Sequence, residues 1–354
     1  MLLAGTGVPA AVAYEEHAPS PASTEPKQSA GTGSARAAAP GAAATPGELV
    51  SYLKSITGSR TVTGQHNKEP LSQPTQYTEQ AHGITGVYPG LWGGEFGFGA
   101  SDLDDRQTMV DEAKNQWNSG SLAALTWHVC PPTRGSSCGW EAGTGIMDEL
   151  SADQWTELTT DGTELNSAWK RRLDEIVPYL QQLEDAGVPA LFRPLHEMNG
   201  DWFWWGAHGG DHGTRALYQL THDYLTREKG LDHLVWVWNV DAKGAAGQMP
   251  DYYPGDAYVD VVSVDAWNDA GFPSGEQYAT LQDLAAGKPL ALAEVGRIPS
   301  PSDLAAQPEW TYFMVWSEML TDPVWNTPER IRETYAHERS LNQGELGVGG
   351  AAPR

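Results

Sequence analysis

The sequence predicts an α/β protein built on a single (β/α)8 barrel, a TIM barrel. Short apolar segments alternate eight times with amphipathic segments over roughly 290 residues, slightly above the usual size of this fold. Several of the short segments are almost continuously apolar, as strands buried on both faces require. An open doubly wound sheet is the rival, but the glycine-rich phosphate loop typical of it is replaced after the first strand by GQHNKEP.

The chain begins with two segments that we do not expect to belong to the barrel. Residues 1–13 have the pattern of a truncated secretory signal, an apolar run that closes on Ala-Val-Ala without basic residues before it. Residues 14–46 are rich in Ala, Pro, Ser and Thr, and we expect a disordered linker because too little of it can be buried. The barrel domain is predicted over 47–340, with a flexible tail over 341–354. The predicted localisation is secreted and extracellular.

Strands are predicted where short apolar runs are bounded by turn residues. In chain order they are Thr61–Gly64, Val87–Leu91, Leu122–Trp127, Ala190–Leu195, Leu234–Trp238, Val259–Val264, Leu290–Ala293 and Tyr312–Trp316. A first helix is expected after Pro46, and the clearest amphipathic pattern runs from about Glu164 to Asp185. Another helix follows the N-cap Ser274, with Gln277 three residues on, and Pro328 opens the last one.

Composition narrows the class of partner. Lys and Arg total 22 against 46 Asp and Glu, a formal charge of −24 that repels nucleic acids and anionic membranes. The 15 Trp residues are more than a core needs, and indole faces stack well on sugar rings. Some of these tryptophans are expected in the core, including Trp169 and Trp236.

The two cysteines lie eight residues apart, at Cys130 and Cys138, among prolines and glycines. In an oxidising compartment a disulfide between them closes a small loop, whereas in a reducing one they are free thiols. A metal site would need more ligands nearby.

Polar and aromatic residues follow the C-terminal ends of the predicted strands, where barrel enzymes carry their active sites. In strand order they are Gln65 and His66; Trp92 and Glu95; Trp127 and His128; His196 and Glu197; Trp238, Asn239 and Asp241; Asp265 and Trp267; Glu294; and Trp316 and Glu318. The opposite strand ends carry Pro, Gly and Ala instead. Such a rim is typical of an open carbohydrate cleft.

Glu197 and Glu294 belong to the fourth and seventh strands, which face each other across a barrel of this size. Glycoside hydrolysis needs two carboxyl groups that flank the scissile bond, about 5–5.5 Å apart in retaining enzymes. Each residue alone has a simpler interpretation. Glu197 is then a surface carboxylate paired with Arg193, and Glu294 a buried acid tied to a helix end. Their common position in an aromatic rim favours the catalytic interpretation.

The motif RPLHEMNGDWFWWG at 193–206 closely resembles the acid/base motif of glycoside hydrolase family 26 of clan A, whose best-known members are endo-β-1,4-mannanases. The similarity continues in TGQH at 63–66, PGLWGGEF at 89–96, LTWH at 125–128, YYPGD at 252–256, VDVVSVDAW at 259–267 and ALAEVG at 291–296. The resemblance implies a (β/α)8 barrel, an extracellular polysaccharide substrate, a retaining mechanism and no cofactor. We expect the protein to be a monomer.

By this resemblance Glu197 is the general acid/base and Glu294 is the nucleophile. The substrate-binding residues that it implies are His128, Trp140, His196, Trp202, Asp265, Trp267 and Trp316. The two histidines would bind the sugar before the cleavage point, and Trp202 would form a platform near the cleaved bond. Trp316 would lie under the reacting sugar, and Trp140 is a weaker match to a stacking residue.

The sequence departs from the family pattern after the sixth strand. The family's Asp-x-Tyr, whose phenol hydrogen-bonds the nucleophile, reads Asp265-Ala266-Trp267 here. We expect the indole N–H of Trp267 to donate to Glu294, which favours the ionised carboxylate. Glu197 is expected to begin protonated, with its pKa raised by indole faces and by Glu294. Glu95 is a smaller departure, because the family has Asp there.

The predicted function is a secreted, retaining endo-β-1,4-mannanase. A β-1,3-xylanase or a mixed-linkage β-glucanase would use the same two carboxylates. A non-catalytic carbohydrate-binding barrel is the alternative from another class, and only the change at Trp267 favours it. A metal-dependent hydrolase is disfavoured because His66, His128 and His196 come from separate strands and form no H-x-H or HExxH motif.

Overall fold

The computed structural model describes residues 44–68, 70–267 and 272–348. The predicted signal remnant at 1–13, the linker up to residue 43 and the end of the predicted tail lie outside these residues. Among the helices of the described part, none is both long and apolar enough to cross a membrane.

Eight parallel strands close into a barrel, which confirms the predicted fold class. The described residues contain ten strands, of which β2 to β9 form the barrel: β1 Thr61–Val62, β2 Gly64–His66, β3 Leu91–Glu95, β4 Leu122–Trp127, β5 Ala190–Pro194, β6 Leu234–Asp241, β7 Val261–Ala266, β8 Leu290–Val295, β9 Trp310–Val315 and β10 Ser340–Leu341. The wall runs from β2 to β9 in sequence order, and β9 pairs with β2 to close it. The short β1 precedes β2 and pairs with β9 and β10.

Helices follow the strands on the outside of the barrel. They are α1 Pro46–Ile56, α2 Gln76–Thr85, α3 Ala100–Asn118, α4 Ala152–Thr159, α5 Glu164–Asp174, α6 Val177–Asp185, α7 Thr214–Asp223, α8 Gly275–Ala285, α9 Pro301–Ala306 and α10 Pro328–Ala336. Short 3-10 helices cover Ala246–Tyr252, Asp256–Tyr258 and Ser317–Leu320, and a π-helical turn covers Tyr224–Glu228. The predicted capping box at the start of α8 is present, since Ser274 accepts a hydrogen bond from the backbone N–H of Gln277.

The predicted second strand is wrong by four residues. Val87 is 39% exposed, and the strand begins only at Leu91. The true strand contains Gly93 and Gly94, which have low strand propensity and made it look like a turn. Both glycines are required by close packing: a Cβ atom on Gly93 would lie 2.4 Å from the Met314 sulfur, and one on Gly94 would lie 2.3 Å from the Trp92 ring.

The long helix predicted between Glu164 and Asp185 is divided into α5 and α6. Pro178 explains the break, because it has no N–H to donate to the carbonyl of Asp174 and its ring disfavours a continuous helix. The apolar stripe remains continuous across the break. Trp169 and Trp236 are buried, as predicted for core tryptophans.

The start of the predicted tail belongs to the barrel domain. Leu341 pairs with Val62 in β1, and Asn342 accepts a 2.9 Å hydrogen bond from the Thr63 hydroxyl. Pro89 forms an isolated antiparallel bridge with Asn342. The polar, glycine-rich composition of the tail concealed these contacts, which close the N-terminal end of the barrel.

Candidate active site

Three carboxyl groups converge at the C-terminal end of the barrel: those of Glu197, Asp265 and Glu294. One oxygen of each lies within 4.8 Å of the others. The three side chains are almost wholly buried, with exposures of 6%, 0% and 3%. Carboxyl groups this close together disfavour each other's ionised form.

The backbone that carries Glu197 turns sharply at the end of β5. Leu195 and Glu197 have φ values of 51° and 52°, in the left-handed region that costs roughly 1–3 kcal/mol for residues other than glycine. Asn239 offsets this strain, because its side-chain oxygen accepts the Glu197 N–H at 2.7 Å. The amide group of Asn239 also donates to Asp265 at 2.8 Å. Glu197 is thereby fixed to β6 and β7.

Two tryptophans donate to the Glu197 carboxyl group. Trp202 Nε1 lies 2.6 Å from Oε2, and Trp267 Nε1 lies 3.0 Å from Oε1. The expectation that Trp267 donates to Glu294 is therefore wrong: the indole is directed across the barrel mouth to the opposite glutamate. One face of Trp202 is covered by the ammonium group of Lys243, 5.0 Å from the ring centroid.

Arg193 is the partner of Glu294. Its guanidinium forms a short ion pair with Glu294 Oε1 and a 2.7 Å pair with Asp265 Oδ2. It also donates to the Thr126 hydroxyl at 3.1 Å. The simpler interpretation of Glu197 as the partner of Arg193 is wrong, because within the described residues the guanidinium forms no hydrogen bond with Glu197.

The groups around Glu197 and around Glu294 act differently on the pKa values of these two residues. Burial raises the pKa of Glu197 well above its usual value, and the carboxyl groups of Asp241, Asp265 and Glu294 raise it further. Burial also raises the pKa of Glu294, but Arg193 opposes this and the pKa is about 7. The ion pair with Arg193 thus favours the ionised form of Glu294, whereas the three neighbouring carboxyl groups favour the protonated form of Glu197. Such a difference suits a nucleophile and an acid.

Histidine and aromatic rings form one wall beside the carboxyl groups. His128 and His196 meet edge to face with ring centroids 4.5 Å apart. Trp140 lies 5.4 Å from His128, and Phe203 lies 5.1 Å from His196. Burial lowers the pKa of His196 well below its usual value, so the ring is neutral and can both donate and accept a hydrogen bond.

Trp316 belongs to a second wall. Its ring stacks on His66 at a centroid distance of 4.1 Å and meets Trp267 edge to face at 5.9 Å. Burial lowers the pKa of His66 to about 3, so this ring is also neutral. The structure thus brings all the residues predicted to bind substrate to the same end of the barrel.

Glu95 fixes the orientation of His128. Its carboxylate accepts the His128 backbone N–H at 2.8 Å and lies 2.9 Å from the ring Nδ1. Burial raises the pKa of Glu95, but the contact with His128 outweighs it and lowers the value to about 2. An ionised Glu95 holds the proton on Nδ1, which leaves His128 Nε2 as the nitrogen available for a ligand.

Asp265 is joined to both sides of the site. It has no exposed surface, and its two oxygens accept hydrogen bonds from Asn239 and Arg193. Its contact with substrate stays a prediction. The contacts that the structure shows hold Asn239 and Arg193, the side chains that orient Glu197 and Glu294.

Sequence reasoning missed the roles of Arg193, Asn239 and Asp241. The sequence places Arg193 near Glu197, but a charged residue inside a barrel strand also indicates buried carboxylates nearby. For Asn239 and Asp241 the sequence predicts only a position on the rim. Asp241 has no exposed surface and acts on Glu197 through its charge.

Cys130 and Cys138 form a disulfide, as predicted for an oxidising compartment. The bond closes a loop that follows β4, and Trp140 lies just beyond it. The loop is also joined to the preceding strand–helix connection, because the Cys138 N–H donates to the Phe98 carbonyl at 3.0 Å. These contacts hold Trp140 beside His128.

The three converging carboxyl groups are close enough to ligate a cation. Arg193 already supplies a positive charge to two of them, Asp265 and Glu294. A cavity of about 730 Å³ lies at a different place, between α1, α10 and the C-terminal segment, and its lining includes Tyr52, Arg60 and Tyr335. The candidate site is therefore identified by its chemistry and not by cavity volume.

Comparisons with known proteins agree with this geometry. The sequence profile of glycosyl hydrolase family 26 matches residues 38–345. A mannan endo-1,4-beta-mannosidase from Thermothelomyces thermophilus is 32% identical over 323 residues, which cover 87% of this chain and 62% of that protein. The chain thus spans less than two thirds of that relative's length. A mannan endo-1,4-beta-mannosidase from Bacillus subtilis is 32% identical over 292 residues, 75% of this chain and 76% of that protein.

Solved structures show the same relationship. GH26A from Muricauda sp. MAR_2010_75 superposes with a TM-score of 0.77 at 35% identity, covering 83% of this chain and 95% of that one. A beta-mannanase from a symbiotic protist of the termite Reticulitermes speratus, complexed with gluco-manno-oligosaccharide, has a TM-score of 0.73 at 26% identity and covers 88% and 98%. The chain belongs to glycosyl hydrolase family 26.

Proposed function

We propose that this protein is a secreted, retaining endo-β-1,4-mannanase that hydrolyses mannan-type polysaccharides as a monomer. The observation that carries the proposal is the asymmetry between two buried glutamates whose oxygens lie within 4.8 Å. Glu294 is paired with the cationic Arg193, whereas the Glu197 carboxyl group accepts hydrogen bonds from the neutral indoles of Trp202 and Trp267. One glutamate is therefore suited to be a carboxylate and the other a carboxylic acid.

In the first step, a carboxylate oxygen of Glu294 attacks the anomeric carbon of the sugar. The bond between this carbon and the glycosidic oxygen breaks, and Glu197 gives its proton to the departing oxygen. The products are an ester between the sugar and Glu294, an ionised Glu197 and a shortened chain. Arg193 favours the ionised nucleophile before the attack.

In the second step, Glu197 removes a proton from a water molecule. The water oxygen forms a bond to the anomeric carbon, and Glu294 leaves as a carboxylate. Two inversions at one carbon restore the original configuration, so the reaction retains it. Glu197 finishes protonated and the cycle can begin again.

The choice of mannan rests on the names of the relatives, several of which are mannan endo-1,4-beta-mannosidases. The walls beside the carboxyl groups suit a sugar, because His128 and His196 offer hydrogen-bonding nitrogens beside the rings of Trp140 and Trp316. Secretion is supported by the disulfide between Cys130 and Cys138, a bond that persists in oxidising compartments.

The test is a panel of mannan, glucomannan, β-1,3-xylan and barley β-glucan with a reducing-sugar readout. We expect the greatest release from mannan and glucomannan, and NMR of the first product should show the β-anomer. Glu294→Ala is the control, and it should reduce turnover at least a thousandfold. Greater release from xylan or β-glucan would assign another substrate, and normal turnover by Glu294→Ala would refute the mechanism.

A further inference from the structure

Trp267 stands where the family has a tyrosine, yet it contacts the glutamate on the other side of the site. We propose that Trp267 is a positioning residue for Glu197, and that its indole N–H stabilises the ionised carboxylate left after Glu197 has given away its proton. The inference rests on the proposed function, since it takes Glu197 as the acid/base.

The geometry gives each oxygen of Glu197 its own donor. Trp202 lies five residues further along the same segment and donates to Oε2, whereas Trp267 comes from the end of β7 and donates to Oε1. A carboxyl group held at both oxygens cannot rotate without losing one hydrogen bond. The two indoles therefore fix the plane of the group that must face the glycosidic oxygen.

The position of Trp267 is itself supported by packing. Its ring meets Trp316 edge to face at 5.9 Å and Trp325 at 6.5 Å. The Trp267 side chain is half-buried. Trp325 packs against Gly296, and within the described residues it donates no hydrogen bond to Glu197, so it offers a matched aromatic control.

The charges around Glu197 make this donor important. Asp241 from β6, Asp265 from β7 and Glu294 from β8 all disfavour its ionised form. Arg193 on β5 partly neutralises Asp265 and Glu294. The ammonium group of Lys243 lies over the Trp202 ring rather than at the Glu197 carboxyl group. Indole donors act in the opposite direction from the carboxyl groups, because a hydrogen bond to a charged form favours that form.

The consequence concerns both steps of the reaction, because Glu197 acts as an acid in the first step and as a base in the second. Loss of one hydrogen bond to the carboxylate should change its ionisation equilibrium about tenfold. The ionised form becomes less stable, so the proton leaves at a higher pH. The alkaline limb of kcat/KM should therefore move upward by about one pH unit.

The experiment compares Trp267→Phe with Trp325→Phe in the full chain. kcat/KM for β-mannotetraose is measured against pH, and dinitrophenyl β-mannobioside reports the second step because its leaving group needs no acid. We expect the alkaline limb of Trp267→Phe to move upward and its kcat on the dinitrophenyl substrate to fall about tenfold. Trp325→Phe should leave the limb in place.

Three outcomes would overturn the inference. In the first, the alkaline limb of kcat/KM for Trp267→Phe coincides with that of the wild type. In the second, Trp325→Phe moves this limb as far as Trp267→Phe does. In the third, the activity of Trp267→Phe falls equally at every pH and the limb does not move, as a purely structural role predicts. Trp267→Met serves as a second variant without a donor if Trp267→Phe does not fold by circular dichroism. A wild-type protein inactive on every glycan would refute the proposed function and this inference together, whereas an active one with an unmoved limb refutes only the inference.

Discussion

Replacement of Arg193 by methionine should leave Glu294 almost wholly protonated at neutral pH. The guanidinium pairs with Glu294 and Asp265, and it is 3% exposed, so water cannot replace it readily. An opposite charge in contact lowers the pKa of a carboxyl group by about 1–3 units. Its loss should raise the pKa of Glu294 from about 7 by about two units.

The expected loss of activity follows from the ionised fraction. At pH 7 this fraction falls from about one half to about one hundredth, so kcat/KM should fall about fiftyfold. The difference should shrink as the pH rises, because ionisation of Glu294 is restored. Breaking a buried ion pair also costs about 3–5 kcal/mol of stability, so Tm should fall while the domain still folds.

The assay is kcat/KM on a soluble mannan oligosaccharide between pH 4 and pH 9, with Tm measured at each end of the range. Asp265→Asn is the matched control, since it leaves the pair between Arg193 and Glu294 intact and should not move the acidic limb upward. The reasoning is refuted if Arg193→Met lowers activity equally at every pH and leaves the acidic limb in place.

Three further perturbations have defined outcomes. The double variant Cys130→Ser/Cys138→Ser lacks the disulfide, which joins residues separated by 8 positions. Its free energy of unfolding, measured by denaturant titration, should be lower by about 2.5 kcal/mol. An unchanged free energy would contradict this expectation. Asn239→Ala leaves the Glu197 N–H and an Asp265 oxygen without their partner. Its kcat/KM should fall about 10- to 100-fold with unchanged circular dichroism, as expected for roughly 1–3 kcal/mol per unsatisfied group. Activity should survive a chelator, because Arg193 supplies the positive charge at the carboxyl cluster; a loss reversed by added metal would refute that assignment.

The parts of the fold that were predicted correctly depend on local patterns. The strand Leu122–Trp127 is apolar except for Thr126, and its predicted bounds are those of the structure. The N-cap Ser274 identified α8 because a side chain and a backbone N–H three residues apart must meet. The predicted position of β3 is wrong because this strand contains two glycines, which have low strand propensity. Close packing against Met314 and Trp92 requires these glycines, and the local sequence does not reveal such packing.

The same distinction applies to the candidate site. Glu197 and Glu294 were identified from the ends of two strands, and strand order in a barrel brings such ends to one rim. The partner of each glutamate was not predictable in this way. Whether Trp267 donates to one glutamate or to the other depends on the direction of a side chain across the barrel mouth, and the sequence around residue 267 does not determine that direction.

The most direct test of the account is identification of the residue that becomes bonded to the sugar. The protein would be treated with a 2-deoxy-2-fluoro-β-mannosyl fluoride, which slows the second step, and the labelled peptide would be sequenced by mass spectrometry. We predict one sugar per chain, attached to Glu294, and its release on addition of an acceptor sugar. Attachment to another residue, or turnover with an inverted product and no adduct, would contradict the assignment of Glu294 as the nucleophile and Glu197 as the acid/base.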